Sequence, residues 1–439
     1  FGKAGKTLAK YLAQHDETVL LIERSKQMYG GTCINVGCLP SKNLILNGQR
    51  GLDFTTAVNK RGEMTRQLRN KNYHMVADEP LATVWDGSAR FIDNYVLAVV
   101  MSDGTTKKVR GERIFINTGA VPNWPSIPGL EFSQRIFTSK EAMELKKQPK
   151  RLAIIGGGYI GLEFAGMFNS IGTHVTIFDQ HTRLLEREDP DIATEVVADL
   201  TDAGIEIKLA TQLTQVKDNG EKVTLYYQQG DQTNTAEFDA VLVAVGRRPN
   251  VSSLGLENTD IALTNRGAIQ VDDHLRTTVQ NIWALGDVNG GPMFTYVSLD
   301  DFRIIIDQLF GKGDRSTADR MVIPTASFLN PPLANVGLNE RQAKSAGYDL
   351  QTFKLSVKAI PKARVLENQR GLYKVIVDQK THLILGATLY AAEAHETINL
   401  IALAMKAKLP YERLRDMIYT HPTMSEALND LFKTPVVKS

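Results

Sequence analysis

The chain has 439 residues, of which 43% are hydrophobic and 23% are charged. This composition excludes a disordered chain and indicates a folded protein of roughly two to four domains. The formal net charge is +2, without a long block of Lys and Arg, so we expect neither a nucleic-acid nor a membrane partner. No apolar run approaches the roughly 18 residues of a membrane span, and no signal peptide opens the chain. We therefore expect a cytoplasmic protein that acts on a small molecule.

The first predicted unit lies at the start of the chain and combines glycines, a helix and a strand. Gly2 and Gly5 have G-x-x-G spacing, a helix-like stretch follows, and the apolar run 19–22 ends at Glu23. These are parts of a dinucleotide-binding βαβ unit, with glycines for a tight turn, a helix N-terminus for phosphates and an acid for a ribose diol. Because the opening strand is absent, we expect about ten further residues to precede Phe1.

The segment GGTCINVGCLPSK, residues 30–42, contains both cysteines of the chain, Cys33 and Cys38. Two cysteines in so long a chain do not form the disulfide framework of a secreted protein. In a reducing compartment, a close pair is more often redox-active or metal-binding than structural. A metal site needs more ligands than two thiols, and the histidines show no metal-binding spacing beside them. The residues favour a redox pair without a resident metal, and metal binding or plain packing are the alternatives.

The spacing of the two cysteines has a consequence for the backbone. On a regular helix, Cα atoms five residues apart are about 8.6 Å from each other, whereas a disulfide needs less than about 7 Å. A bond between Cys33 and Cys38 would therefore require a break in the helix. The glycines that could allow this break are Gly30, Gly31 and Gly37. Pro40 suits an early helical turn, so we expect a nearby helix N-terminus that lowers a thiol pKa and favours the thiolate.

A second unit, RLAIIGGGYIGLEFAGMFNSIGTHVTIFD, begins at Arg151 and repeats the organisation of the first. Asp179 lies 21 positions after Gly158, as Glu23 lies 21 positions after Gly2. The glycines of the second copy are Gly156, Gly158 and Gly161. One glycine-rich turn would be weak support, but two copies with helix and acid in place indicate two dinucleotide sites.

Each unit is followed by an apolar strand that ends in a G-x-x-P turn. RIFINTGAVP contains Gly119 and Pro122, and AVLVAVGRRP contains Gly246 and Pro249. We interpret each turn as closing its domain over a nucleotide. The alternative is two ordinary strand-end turns.

The C-terminal motif THPTMSEALNDLF contains His421 and Glu426. Thiol exchange leaves a thiolate that must gain and lose protons, and a histidine oriented by a carboxylate suits that task. Read alone, the His-Pro pair would more often be a structural cap before a helix.

Together these motifs resemble the flavoprotein disulfide reductases, the family of glutathione reductase, dihydrolipoamide dehydrogenase and mercuric reductase, from Phe1 to about Phe432. The resemblance implies an α/β fold with two Rossmann-like dinucleotide-binding domains, for FAD and NAD(P), and an α+β C-terminal dimerisation domain. It implies an FAD domain of residues 1–122 and 251–320, an NAD(P) domain of residues 123–250 and a dimerisation domain of residues 321–439.

The resemblance also implies roles for individual residues. The FAD-binding residues would be Gly2, Gly5, Glu23, Arg24, Gly31, Thr32, Lys42, Thr118, Gly119 and Asp287. The NAD(P)-binding residues would be Gly156, Gly158, Gly161, Asp179 and Gly246. An acid at Asp179 favours NADH over NADPH, although His181 and Arg183 lie close enough in sequence to leave NADPH open.

In the implied mechanism, electrons pass from NAD(P)H through FAD to a Cys33–Cys38 disulfide and then to an oxidant. His421 and Glu426 would serve the cysteines of the other subunit of a homodimer. Lys42 and Glu163 would form an ion pair beside the flavin; the alternative for each is an ordinary surface charge on a helix.

The pieces FGKAGKTLA, MYGGTCIN and HPTMSEALNDLF are most similar to the bacterial reactive-chlorine-resistance subgroup, whose members resemble mercuric reductase without its extra cysteines. The resemblance implies a protective reductase of copper(II) or of a hypothiocyanous- or hypochlorous-type oxidant. The alternatives are a dihydrolipoamide dehydrogenase, a glutathione-reductase-like enzyme, and a flavoprotein with a mainly binding role.

Overall fold

The structure is a computed structural model that describes residues 1–433 and 435–436. Its α-helices are α1 (Lys3–Ala13), α2 (Gly31–Asn35), α3 (Cys38–Gln49), α4 (Phe54–Ala77), α5 (Ser139–Ala142), α6 (Tyr159–Ser170), α7 (Pro190–Asp202), α8 (Thr295–Phe310), α9 (Glu340–Ser345), α10 (Pro361–Val365), α11 (Ala394–Lys406), α12 (Glu412–Arg415) and α13 (Ala427–Leu431). In the described part of the chain, no helix has both the length and the apolar character that crossing a membrane would require.

The strands, in chain order, are β1 (Val19–Glu23), β2 (Ala82–Asp93), β3 (Val96–Met101), β4 (Thr106–Arg110), β5 (Ile114–Ile116), β6 (Ala120–Pro122), β7 (Ile136–Phe137), β8 (Arg151–Ile155), β9 (His174–Phe178), β10 (Glu206–Lys208), β11 (Thr211–Asp218), β12 (Val223–Gln229), β13 (Gln232–Phe238), β14 (Ala240–Val243), β15 (Arg247–Pro249), β16 (Ile282–Ala284), β17 (Thr325–Ser327), β18 (Leu333–Gly337), β19 (Leu350–Ser356), β20 (Leu372–Asp378) and β21 (Ile384–Tyr390).

The chain divides into two compact units. The first consists of Phe1–Pro125, Thr138–Lys147 and Val245–Asp319. The second consists of Ser126–Phe137, Gln148–Ala244 and Arg320–Ser439. The three domains with their sequence-derived boundaries remain a prediction.

The first unit contains the first glycine-rich repeat and the cysteine segment. In its four-stranded sheet, β1 pairs in parallel with β2, and β2, β3 and β4 continue as an antiparallel meander. Ala4, Leu8 and Leu12 lie one helical turn apart on α1, and this apolar stripe packs against Ile304 and Ile305 of α8. The predicted strand that ends at Glu23 is confirmed, because β1 ends there.

The second unit contains the second repeat in a five-stranded parallel sheet of order β10-β9-β8-β14-β7. The central strands are apolar without alternation, as expected of a parallel sheet that is covered on both faces. Leu152, Ile154 and Val241, for example, are fully buried. This sheet and the helix α6 that follows β8 confirm the Rossmann-like architecture.

The rest of the second unit includes a five-stranded antiparallel sheet of order β17-β18-β21-β20-β19. Lys374 on β20 is 3% exposed and pairs with Asp189 at 2.8 Å, Glu340 at 2.9 Å and Asp191 at 3.1 Å. The three carboxylates compensate the charge of a lysine that the fold removes from water. This sheet, with helices such as α11 packed on it, is the predicted α+β region.

The two G-x-x-P turns pair with each other, and their predicted role of closing a domain over a nucleotide remains a prediction. β15 pairs antiparallel with β6, so that Arg247 faces Pro122 and Pro249 faces Ala120. The N–H of Asn250 also donates to the Gly119 carbonyl at 2.9 Å. The two turns therefore lie side by side in the first unit, one where the chain leaves this unit and one where it returns to it.

Candidate active site

The cysteine segment is two helices with a break between them, which is the departure from a regular helix that a Cys33–Cys38 bond would require. α2 carries Cys33 and ends at Asn35, and α3 begins at Cys38 itself. Gly30 and Gly31 have φ values of +97° and +76°, in the left-handed region that glycine adopts without strain. The break allows residues five positions apart to approach each other.

The two thiols are free in this structure and hydrogen-bond to each other. The hydrogen bond from Cys33 lowers the pKa of the Cys38 thiol to about 6, with help from the Thr295 hydroxyl and the Lys42 charge and against the effect of burial. The same hydrogen bond, together with burial, raises the pKa of Cys33. The pair therefore shares one negative charge that resides mainly on Cys38, with Thr295 Oγ1 at 3.5 Å from its sulfur.

A glycine cradle joins the first repeat to the cysteine segment. A methyl group on Gly31 would lie 2.6 Å from the Cα of Gly2, and one on Gly2 would lie 2.6 Å from Oδ1 of Asn117. Asn117 Oδ1 also accepts the N–H of Gly5 at 3.0 Å. Gly2 caps α1 without a side-chain hydrogen bond, which suits a helix N-terminus that receives a pyrophosphate. These residues fit the FAD that the resemblance implies.

The other predicted FAD residues also lie in the first unit. Glu23 ends β1 and accepts the N–H of Ser25 at 3.2 Å, and Arg24 after it is exposed. Thr118 donates from its hydroxyl to the Asn250 carbonyl at 2.8 Å. Thr32 follows Gly31 on α2.

Asp287 lies in the 3-10 turn Gly286–Asn289, within electrostatic reach of the half-buried Arg247. Burial raises the pKa of Asp287, and the nearby Arg247 opposes that rise. Arg247 donates to the Ala120 carbonyl at 2.6 Å, and its charge acts on both Asp287 and Cys38. A guanidinium thus lies within electrostatic reach of both the Asp287 motif and the cysteine pair.

The second repeat forms a closed glycine turn in the second unit. A methyl group on Gly161 would lie 2.0 Å from the Gly156 carbonyl oxygen, and Gly156 has φ +102°. Gly158 caps α6 without a side-chain hydrogen bond. Asp179 accepts the N–H of Gly157 at 2.6 Å with one oxygen. This turn fits the pyrophosphate of a nicotinamide cofactor.

The other oxygen of Asp179 accepts the backbone N–H of His181 at 2.9 Å and lies 2.6 Å from Nδ1 of the same residue. The imidazole ring of His181 therefore lies beside the acid that would bind a ribose. Gly246, predicted for the same cofactor, lies in the first unit. Its contact with a nicotinamide cofactor remains a prediction.

Tyr159, the first residue of α6, is held by a buried carboxylate. Its hydroxyl donates to Glu188 at 2.8 Å, and Asn335 donates to the same oxygen at 3.2 Å. Burial raises the pKa of Glu188. The sequence gave no signal for this group, because Glu188 and Asn335 belong to no motif and are far apart in the chain.

Lys42 and Glu163, predicted as an ion pair, lie in different units. Lys42 is on α3, where its charge acts on Cys38. Glu163 on α6 is 7% exposed and accepts the N–H of Phe328 at 2.9 Å. Burial is unusual for an ordinary surface charge, and the ion pair itself remains a prediction.

His421 and Glu426 form the predicted local pair in the second unit. His421 Nδ1 is 2.9 Å from Glu426 Oε2, and Glu426 also accepts the N–H of Thr423 at 3.3 Å. The histidine side chain is 70% exposed, whereas that of Glu426 is 18% exposed. A fixed carboxylate therefore orients an imidazole whose other nitrogen is accessible.

Three contributors were missed at the level of sequence: Thr295, Asn117 and Arg247. Each lies within or next to a recognised motif, but its contact joins segments more than a hundred positions apart. Among the described residues, no group of three or more His, Cys, Asp or Glu side chains is arranged to hold a metal ion.

Two nucleotide cradles, a coupled pair of thiols and a carboxylate-oriented histidine define a pyridine nucleotide-dependent flavoprotein oxidoreductase. A sequence profile described as pyridine nucleotide-disulphide oxidoreductase matches residues 1–301, and one described as the dimerisation domain of the same enzymes matches residues 323–432. The chain therefore belongs to the pyridine nucleotide-disulphide oxidoreductase family, whose members depend on FAD and use pyridine nucleotides.

Individual relatives support the subgroup that the sequence motifs indicated. The chain is 48% identical to a probable pyridine nucleotide-disulfide oxidoreductase, RclA, of Escherichia coli (strain K12), over 98% of this chain and 97% of that one. It is 33% identical to a mercuric reductase of Staphylococcus aureus, over 97% and 80%. A solved Cu(II) complex of the HOCl-induced flavoprotein disulfide reductase RclA from E. coli matches with a TM-score of 0.95 at 47% identity, over 98% of this chain and 97% of that one.

Proposed function

We propose that this enzyme passes electrons from NAD(P)H through FAD to a redox-active Cys33–Cys38 pair, which then reduces a stress-related oxidant. The observation that carries the proposal is the lowered pKa of Cys38, to about 6, at the start of α3 and in hydrogen bond with Cys33. A thiol that is largely ionised at neutral pH is suited to thiol–disulfide exchange.

The bound cofactors supply the electron pair that the chain lacks. The two thiols have different roles. Cys38 holds the negative charge, supported by Thr295 and Lys42, and Cys33 reacts with the oxidant. Two copper(II) ions would each take one electron from the Cys38 thiolate and the Cys33 thiol, giving two copper(I) ions, one proton and the Cys33–Cys38 disulfide. Because the solved relative binds Cu(II) and is HOCl-induced, we propose copper(II) or a hypothiocyanous- or hypochlorous-type oxidant as the acceptor.

The first test is anaerobic oxidation of NADH and NADPH with a matched panel of lipoamide, oxidised glutathione, copper(II), mercury(II), hypothiocyanous acid and a quinone. We expect kcat/KM for copper(II) or hypothiocyanous acid to exceed that for the disulfides. Dominance of lipoamide would instead establish a dihydrolipoamide dehydrogenase. The acid at Asp179 leads us to expect NADH as the better donor; a cytoplasmic location also remains a prediction.

We also propose a homodimer in which His421 serves the partner's cysteines. Two large apolar side chains of the C-terminal region are exposed: Ile418, three positions before His421, is 96% exposed, and Leu403 on α11 is 64% exposed. Such surface favours association with another chain.

A mixed-subunit experiment tests this arrangement. Cys33→Ser and His421→Ala subunits are each expected to form inactive dimers. Mixing them should restore about one quarter of wild-type activity, because half of randomly formed dimers are mixed and each mixed dimer has one intact site. Absence of recovery in dimers shown to exchange subunits would place His421 and the cysteines of one site on the same chain.

A further inference from the structure

Lys6 occupies a position at which the second repeat has an apolar residue. Lys6 follows Gly5 on α1 as Leu162 follows Gly161 on α6, and the two side chains are 4% and 0% exposed. Burying an ammonium group costs free energy unless its charge is compensated. A lysine at the buried position of a repeat that elsewhere holds leucine therefore requires a physical reason.

The hydrogen-bond partners of Lys6 are neutral. Its Nζ donates to Oδ1 of Asn72, which is 9% exposed on α4, and to the Gly30 carbonyl at 3.5 Å. Within residues 1–433, Lys6 makes no ion pair with a carboxylate. Gly30 directly precedes α2, the helix that carries Cys33. The ammonium is therefore tied to the start of the Cys33 helix, and its charge remains unneutralised.

Among the groups that act electrostatically on Lys6, Cys33 is the one that can become an anion. Lys3 on the same helix is a cation that acts on Lys6. Burial and, to a smaller extent, Lys3 lower the pKa of Lys6 to about 8, and ionised Cys33 opposes this. Electrostatic coupling is reciprocal, so the Lys6 charge also favours the Cys33 thiolate. At neutral pH Lys6 is charged, and it loses that charge above pH of about 8.

We infer that Lys6 is a positioning residue for Cys33: its buried ammonium holds the Gly30 carbonyl at the start of α2 and stabilises the Cys33 thiolate. This inference rests on the proposed function, in which Cys33 must ionise to meet the oxidant. It gives Lys6, a residue of the first nucleotide turn, a role in thiol chemistry. A competing reading is that Lys6 only compensates the charge of the FAD pyrophosphate.

The test measures the alkylation rate of Cys33 by iodoacetamide against pH in the FAD-loaded protein. A Cys38→Ser background leaves Cys33 as the single thiol, since the chain has two cysteines, and it removes the coupled titration. We expect Lys6→Met to shift the midpoint to higher pH and to slow alkylation at pH 7 about tenfold. The matched control is Lys10→Met, whose lysine is on the same helix but 39% exposed and paired with Glu79; we expect no shift from it.

A second variant keeps Lys6 and supplies the missing carboxylate. Asn72→Asp should neutralise the ammonium locally and shift the midpoint of Cys33 alkylation to higher pH, as Lys6→Met does. If Lys6→Met does not fold, Asn72→Asp alone tests the inference. An unchanged midpoint in Asn72→Asp, or in folded Lys6→Met, would overturn the inference, as would an equal shift in Lys10→Met. Loss of FAD from Lys6→Met without a change at Cys33 would favour the pyrophosphate reading and also overturn it. The alkylation experiment uses no oxidant. The proposed oxidant could therefore prove wrong in the kinetic panel without changing the result for Lys6.

Discussion

The two glycine-rich repeats have the same spacing but different neighbours. In the first, the turn at Gly2 packs against Gly31, so the nucleotide turn and the cysteine segment are in direct contact. In the second, a methyl group on Gly157 would meet Leu184 at 2.2 Å and Asp179 at 3.0 Å, both from the same βαβ region. The second turn is thus self-contained. A repeated sequence specifies the local turn, and residues outside the repeat decide which copy serves the redox centre.

The largest expected effect is a loss of turnover at the redox centre, while both glycine-rich repeats keep their function. Cys38→Ser removes the thiol that holds the negative charge, so we expect turnover with any oxidant to fall on the order of a thousandfold. Bound FAD and its reduction by NADH should persist, because both glycine turns are intact. Stopped-flow absorbance of the flavin separates the two steps, and full turnover by this variant would mean that the cysteines are spectators.

Alanine in each turn should break one repeat and spare the other. Gly31→Ala forces a methyl group to 2.6 Å from Gly2 at a φ of +76°, so we expect loss of FAD and a lower free energy of unfolding. Gly161→Ala places a methyl group 2.0 Å from a carbonyl oxygen, so we expect bound FAD but a KM for the nicotinamide cofactor raised about a hundredfold.

The control for both is Gly166→Ala, which lies in α6 with open space around it. It should stabilise the protein by about 0.5–1 kcal/mol. If Gly161→Ala released FAD as readily as Gly31→Ala does, the two turns would not be independent.

A smaller effect concerns the acid of the second repeat. Asp179→Asn removes the negative charge that repels a 2′-phosphate, so the ratio of kcat/KM for NADPH to that for NADH should rise about tenfold. Glu186→Gln, at a side chain that is 52% exposed and 4.0 Å from His181, is the control and should leave the ratio unchanged. An unchanged ratio in Asp179→Asn would show that the acid does not select the donor.

The smallest effect is a shift in pH dependence. A lowered pKa means that the Cys38 thiolate is present above pH of about 6 and is lost as the pH falls through that value. Thr295→Val removes one hydrogen bond to the thiolate, so its pKa should rise and the activity at pH 6 should drop a few-fold. Thiolate absorbance in the reduced enzyme measures the shift, and an unmoved midpoint would exclude a role for Thr295.

The sequence allowed prediction of features that depend on near neighbours. The spacing showed that a Cys33–Cys38 bond would need a break in the helix, and β1 and β9 end where the acids predicted. The same reasoning could not find Thr295 beside Cys38 or Asn72 beside Lys6, because those contacts join segments separated by 257 and 66 positions. It also gave no sign that the two G-x-x-P turns pair with each other, since spacing carries no information on which strands pair.

The contact between Gly31 and Gly2 limits how such an enzyme can be rebuilt. A side chain on Gly31 would collide with the backbone of Gly2, and one on Gly2 would collide with the side chain of Asn117. Anyone grafting the cysteine segment onto another nucleotide-binding scaffold would therefore have to transplant both glycines and the spacing around them. The cysteine segment and the nucleotide turn therefore form one structural unit, which can be exchanged only as a whole.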